Sequence, residues 1–278
     1  SSANTTSYSA VTTSAASSTT TFYAVSTSSV EATFYYNSNT TSGSLTVSTT
    51  KASGTRTNYC ASTSSATVAH GSITVPSTVT GSVGQYNNTY LGLATSLNTM
   101  TSSTSATTGN TTYYAVYRSN VTIYRPTSAS VASSVTAYRN SYFTSTSAMS
   151  TVLSSTNTGT STMSSVSGIY GTLKGFGSVN TSTVTYSSID ALLKSNTTTT
   201  YAISTSSITI SYNANGGSGA PSNQTTTRTT YCTSTSAATT TGNTTISSTK
   251  PTKTGYTFSK WNTSSDGSGT NYSSGTSY

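Results

Sequence analysis

Charge is what this sequence has least of. Charged residues make up 5% of its 278 positions, where about a quarter is usual. Only three carboxylates occur, Glu31, Asp190 and Asp266, beside a single histidine, His70. General acid–base chemistry needs two positioned ionisable groups. A Ser–His–Asp triad would have to bring His70 to an aspartate in a distant part of the chain. No catalytic residue is therefore expected. Two cysteines, Cys60 and Cys232, with one histidine fall short of a structural zinc site. Asp266-Gly267-Ser268-Gly269 offers one carboxylate where a calcium loop usually has more, so it reads as a plain turn. No metal site and no cofactor are expected.

Long apolar runs are also missing, so no membrane insertion is expected. The N-terminus has no basic segment leading into an apolar core, and no signal peptide is expected. The formal charge of +8 comes from 11 basic residues set against three acids. The basic residues are scattered, and only Lys250, Lys253 and Lys260 stand near one another. This is not a nucleic-acid footprint. Cys60 and His70 lie close enough in sequence to form a nucleophile–base pair in name. A partly buried thiol and a turn imidazole beside Gly71 is the plainer reading.

Serine and threonine fill the space that charged residues leave. One reading of such a composition is a disordered, mucin-like stalk. Against it stand only four prolines and 21 tyrosines spread through the chain. Disordered segments are poor in aromatics, whereas Thr, Val, Ile and Tyr are what strands use. A folded, mainly β protein with short helices (an α+β chain) is expected, with several small cores.

A short aromatic strand recurs three times. It reads Thr21-Phe22-Tyr23-Ala24-Val25, then Thr112-Tyr113-Tyr114-Ala115-Val116, then Thr199-Thr200-Tyr201-Ala202-Ile203. Tyr23, Tyr114 and Tyr201 stand 91 and 87 residues apart. Asn110 precedes the second copy and Asn196 the third. A second strand follows each copy after a polar gap: Ala32–Tyr36, Val121–Tyr124 and Ile208–Tyr212. In the last, Ile208, Ile210 and Tyr212 alternate with polar residues, the period of a strand with one buried face. A fixed long period marks tandem repeats. The expected organisation is 1–25 as the end of a preceding repeat, then repeats at 26–116, 117–203 and 204–278, the last incomplete at its C-terminus. Ser7–Ala10 lead toward the first aromatic strand and Asn271–Tyr278 stop short of another, as in a window cut from a longer array. A second match, Thr55-Arg56-Thr57-Asn58-Tyr59-Cys60 with Thr227-Arg228-Thr229-Thr230-Tyr231-Cys232, is read as shared by repeats one and three and absent from repeat two.

Helical spacing appears at Leu93, Leu97 and Met100, at Met149, Val152 and Leu153, and at Ile189, Leu192 and Leu193. Ser187 and Ser188 stand before the last set as candidate N-caps.

In the third repeat, Tyr212-Asn213-Ala214-Asn215-Gly216-Gly217 supplies a strand end and the backbone freedom of a tight turn. Gly255 before Tyr256 allows a bend. Tyr256, Phe258 and Trp261, the only tryptophan, are expected to supply a small core. Together with Lys250–Thr263 and Asp266–Tyr272, these residues resemble the Listeria–Bacteroides repeat, or internalin B-repeat, family. Repeats one and two resemble it only through the aromatic strand and glycines such as Gly92, Gly175 and Gly177. The resemblance implies tandem, β-grasp-like modules of a few strands around one helix, in extracellular and wall-attached bacterial proteins. It brings no catalytic residues.

The expected function is therefore a non-enzymatic structural or adhesive repeat protein, extracellular or attached to a bacterial cell surface, in one form a fibre or filament subunit. Expected partners are neighbouring copies of itself, other surface proteins, or a host protein or glycan. Cys60 and Cys232 are candidates for an interchain disulfide. The alternative is a set of carbohydrate-binding accessory repeats of a large secreted enzyme, with exposed tyrosines stacking on sugar rings.

Overall fold

The computed structural model describes residues 23–278 except 42, 101, 104, 105 and 108–111. Thr21, Phe22, Asn110 and most of the expected 1–25 segment lie outside the described residues. What is described is mainly β-structure with few and short helices, divided into two compact units.

Unit 1 takes the described residues up to Val121, then Ala137–Met163 and Leu193–Thr198. Strands β1 (Ser26–Asn37), β2 (Val47–Ser62) and β3 (Ser65–His70) form an antiparallel meander. Strand β4 (Ser72–Ile73), helix α1 (Ser77–Thr80) and β5 (Thr89–Ala94) follow, and β6 (Ala106–Thr107) pairs with β4. Strands β7 (Thr112–Pro126), β8 (Ala132–Ser145) and β9 (Ala148–Ser154) make a second meander. β7 leaves unit 1 after Val121, and β8 rejoins it at Ala137.

Alternation explains these strands. In β1, Ala32 and Phe34 point inward at 0% exposure while Glu31 is exposed and Thr33 and Tyr35 are half-buried, as a period of two dictates. They pack with Leu93, Tyr113, Ala115, Tyr117 and Phe143, and Val79 of α1 closes over this cluster. Tyr117 is wholly buried, and its hydroxyl accepts the Asn37 N–H at 2.9 Å and hydrogen-bonds Ser82 Oγ at 2.8 Å. A buried phenol needs such partners. Burial pushes its pKa up, and those two hydrogen bonds pull against the shift.

Unit 2 takes Thr122–Thr136, Ser164–Leu192 and Thr199–Tyr278. It contains β10 (Thr172–Gly177), most of α2 (Ile189–Leu193), and a third meander of β11 (Thr199–Ile210), β12 (Gln224–Cys232) and β13 (Ala238–Thr241). The hairpin of β14 (Trp261–Asn262) and β15 (Asn271–Tyr272) ends it. Phe176, Leu192, Ala202 and Ile203 are fully buried here. Ser188 caps α2, its hydroxyl accepting the Ala191 N–H at 3.1 Å, where the sequence suggested an N-cap.

The three meanders share one plan. Across their hairpins, Cys60 faces Ala66, Phe143 faces Met149 and Cys232 faces Ala238. An arginine stands four residues before each: Arg56, Arg139 and Arg228. Repeat two therefore does carry the second motif, as Tyr138-Arg139-Asn140-Ser141-Tyr142-Phe143, with phenylalanine where the others have cysteine. Its Phe143 is 2% exposed and belongs to the unit 1 core, Cys232 is 1% exposed and Cys60 half-buried, so the position does not require a thiol.

Two expected helices are strands. Leu93 lies in β5, with Leu97 and Met100 beyond it, and Met149, Val152 and Leu153 lie in β9. Both segments gain a ladder partner, which a single helical turn in isolation lacks. The expected boundaries after Val116 and Ile203 fall inside β7 and β11.

Candidate functional site

The recurring aromatic strand does one structural job twice. Tyr114 pairs in parallel with Tyr35 of β1 and antiparallel with Ala94 of β5. Tyr201 pairs in parallel with Tyr124 of β7 and antiparallel with Gly177 of β10. The start of one repeat's long strand thus enters a slot formed by the preceding repeat. One wall is the end of that repeat's long strand, and the other is its short strand. The rings stack in both slots, Tyr35 on Tyr114 at 5.3 Å and 25°, and Tyr124 on Tyr201 at 5.1 Å and 18°. The next residue is Ala115 or Ala202, each at 0% exposure.

The short strands match in detail. Leu93 has Ser103 on one edge and Ala115 on the other, and Phe176 has Tyr186 and Ala202. The register shifts just before both, at Gly92 and Gly175. Gly175 has φ +157°, and a Cβ there would lie 2.5 Å from Val184 Cγ1 and 2.7 Å from the Tyr186 carbonyl oxygen. This close approach accepts only glycine.

The third repeat builds the same walls. Trp261 of β14 pairs with Tyr272 on one edge, and beyond the end of β11 at Ile210 the chain continues to Tyr212. Among the described residues no strand pairs with the other edge of Trp261. None pairs with the edge of β11 beyond Thr205 that faces away from β12. A cleft of about 930 Å³ lies between them, lined by Ile208, Ile210, Tyr212, Phe258, Lys260 and Trp261 among others. Tyr212 and Phe258 pack on the Trp261 ring at 4.9 Å and 5.1 Å. The Tyr212 hydroxyl donates to Gln224 Oε1 and accepts the Ser247 N–H at 2.8 Å. The indole N–H of Trp261 is buried without an acceptor.

Turns hold this arrangement. Asn215 and Gly216 have φ of 49° and 81°, and the Gly217 N–H closes the turn onto the Ala214 carbonyl at 3.0 Å. Two positive φ values in succession mark a type I′ turn, which Asn-Gly favours. Gly255, φ +78°, sits in the turn closed by the Tyr256 N–H on the Lys253 carbonyl at 3.0 Å. Tyr256 does not join the expected core. That turn projects it outward at 75% exposure, with Lys253 Nζ 5.1 Å from its ring centroid. Asp266 organises the β14–β15 loop, its carboxylate accepting from Ser264 Oγ, Ser268 N and Ser268 Oγ at 2.7, 2.9 and 2.7 Å. The hydrogen bonds from the Ser268 hydroxyl and N–H, then from Ser264, pull its pKa down to about 2.

The remaining candidates do not converge. On the β2–β3 ladder, His70 faces Arg56 and Cys60 faces Ala66. Four ladder positions separate them, roughly 13 Å at the usual strand rise, too far for a nucleophile–base pair. Both cysteines are free thiols, Cys60 half-buried and Cys232 buried at 1% exposure. Burial pushes the Cys232 thiol up to about 11, which keeps it protonated and unreactive. Among the described residues no three His, Cys, Asp or Glu side chains group as metal ligands would. None of their helices is long and apolar enough to cross a membrane.

The β-rich fold and the twice-built strand-in-slot arrangement fit a tandem-repeat organisation. Residues 209–278 match the Listeria-Bacteroides repeat domain. The match suggests an extracellular, surface-associated repeat protein, and the family occurs in bacterial surface proteins. No curated protein and no solved structure matches the chain. The matched residues run from the end of β11 to the β14–β15 hairpin. Among them no helix is described, unlike the strands-around-a-helix module that the resemblance implied. Sequence reasoning found both slot tyrosines, Tyr114 and Tyr201, but not the short strands facing them. Their common signal was a glycine followed by a large apolar residue, Gly92-Leu93 and Gly175-Phe176.

Proposed function

We propose that the chain is a non-enzymatic structural segment of an extracellular bacterial surface protein, one that builds or spaces a fibre or adhesive array. The observation that carries this reading is the splice itself. The same strand-in-slot joint, with the same stacked tyrosines, links successive repeats twice. A joint made of main-chain ladder plus aromatic stacking transmits tension along the chain and needs no chemistry. In this reading the successive repeats at 26–116, 117–203 and 204–278 are the units so joined. Hydroxyl-rich surfaces and an outward-facing strand β3 suit contact with neighbouring copies or a host surface. Of the two thiols, Cys60 on the β2–β3 hairpin is the one an interchain bridge would use, because Cys232 is sealed.

Electron microscopy of the purified chain, with mass photometry over a concentration series, tests the reading. Regular filaments or ordered strings of modules support it. Catalytic turnover, or a chain that stays single and dispersed while binding a soluble sugar through its tyrosines, overturns it in favour of an accessory binding region.

A further inference from the structure

Tyrosine occurs 21 times in the chain, and among the described residues two pairs of its rings stack. Tyr35 lies against Tyr114 with centroids 5.3 Å and planes 25° apart, and Tyr124 against Tyr201 at 5.1 Å and 18°. In each pair the two residues are direct partners in a parallel ladder. Backbones about 4.8 Å apart therefore hold the two phenols together. All four side chains are half-buried, so a small solute reaches them while one face of each ring is already taken. Other tyrosines meet edge to face: Tyr90 and Tyr117 at 78°, with Tyr117 wholly buried, and Tyr272 and Tyr278 at 66°.

The two stacks differ in what lies beside them. Tyr124 and Tyr201 pack on a cluster that holds the Cys232 thiol, a hydrogen-atom donor that competes for an oxidised phenol. At the other stack the neighbouring ring is Phe143, with its centroid 6.3 Å from that of Tyr35 and 5.8 Å from that of Tyr114. Phenylalanine has no labile hydrogen to give. A radical formed on either Tyr35 or Tyr114 thus meets the other phenol as its reacting neighbour in that stack.

We propose that Tyr35 and Tyr114 form an oxidative cross-linking site, where the two side chains are joined as dityrosine by peroxide activated at a haem or transition-metal centre. Each phenol gives up one electron and one proton, which leaves a radical shared between its oxygen and the ring carbons ortho to it. One Cε of each ring then forms the new carbon–carbon bond. Each bonded carbon releases its hydrogen as a proton, the oxygens take protons back, and both phenols are restored. The chain loses two hydrogens in all. The peroxide takes up those two electrons and two protons and becomes two molecules of water. The bond ties β1 to the start of β7, so a joint held by ladder and stacking becomes covalent. This site goes beyond the structural reading above and does not depend on copies assembling.

The test treats the full chain, kept dilute, with hydrogen peroxide and a haem peroxidase, plus a trace of a small phenol that carries the radicals into half-buried sites. Trypsin then cuts after Lys51 and Arg118. The expected result is dityrosine fluorescence in a chain that stays single. The peptide ending at Lys51 should be linked to the one ending at Arg118, two hydrogens lighter than their sum, with the bond placed at Tyr35 and Tyr114 by fragmentation. Tyr114→Phe keeps the ring and removes the phenol, and should lower this linked pair at least about tenfold. Tyr35→Phe should do the same, whereas Tyr36→Phe, one residue along β1, should leave the yield unchanged. Circular dichroism shows that each variant is folded. The urea-unfolded chain should also give about tenfold less of the pair, because holding two groups in contact is what raises their effective concentration. Equal yield in the unfolded chain, an undiminished link in Tyr114→Phe, or links only between chains would overturn the proposal. So would oxidation elsewhere in the chain with no Tyr35–Tyr114 link. In each of those cases the structural reading still stands, since strand joints need no covalent bond.

Discussion

Tyr124 and Tyr201 offer the cleanest measure of what a filled slot contributes, because unit 2 contains the only tryptophan and its unfolding can be followed alone. Both side chains are half-buried, and their rings stack at 5.1 Å and 18°. Replacing either by alanine exposes on the order of 100 Å² of apolar surface, about half of a buried aromatic, or about 2.5 kcal/mol at the usual coefficient. With a urea m-value of about 2 kcal/mol/M for a unit of this size, each single variant should lower the midpoint by roughly 1 M. The stack itself should appear as coupling. In a double-mutant cycle the pair is expected to lose about 1 kcal/mol less than the sum of the singles. Tyr201→Phe should retain most of the coupling, since stacking needs the ring and not the hydroxyl. Urea unfolding by Trp261 fluorescence at fixed ionic strength reads all four corners. Coupling below about 0.3 kcal/mol would refute the idea that the stacked pair holds the joint.

Other predictions follow from the same geometry. Cys232 titrates near 11 in the folded chain against 9.0 for an ordinary thiol, so the folded state holds its proton longer than the unfolded one. Stability is fully present below pH 9 and should fall by about 2 kcal/mol between pH 9 and 11, a loss absent in Cys232→Ala. A thiol reagent at pH 8 should label Cys60 well before Cys232. Asp266 is shifted the other way, down to about 2 from 3.8. Its support of the 262–271 loop should persist above pH 4 and be lost as pH falls through 2, which NMR titration of its carboxyl can follow. Asp266→Ala should speed hydrogen exchange at the Ser268 amide. Gly175→Ala should cost about 2–4 kcal/mol, because a Cβ there strikes backbone and a branched side chain. Gly255→Ala, with open space around it but positive φ, should cost only about 1 kcal/mol. Urea midpoints separate the two.

The long-period pattern was legible because each slot tyrosine is followed by a small residue and a β-branched one. Burial between two ladder partners demands that triplet at every joint. The Asn215-Gly216 turn and the Ser188 cap were legible for local reasons, since both motifs determine their own backbone. What stayed hidden depended on distant partners. The arginine–tyrosine motif of repeat two was masked by Phe143, which fills with a ring the space that a thiol fills in its counterparts. Leu93, Leu97 and Met100 mimic helical spacing, but the β7 strand across from Leu93 decides in favour of a ladder. Tyr256 resembles a core aromatic in sequence, yet the turn at Gly255 carries it into solvent. The expected boundaries after Val116 and Ile203 fall within β7 and β11, whose long pairing with distant strands has no local signal in the sequence.

Hydrogen exchange on the Tyr113–Val116 and Thr200–Ile203 backbones, each held between two ladder partners, tests the central claim most directly. Strand-in-slot joints predict that both segments are among the most protected of the chain. Fast exchange of either segment while the other strands of its unit stay protected would contradict it.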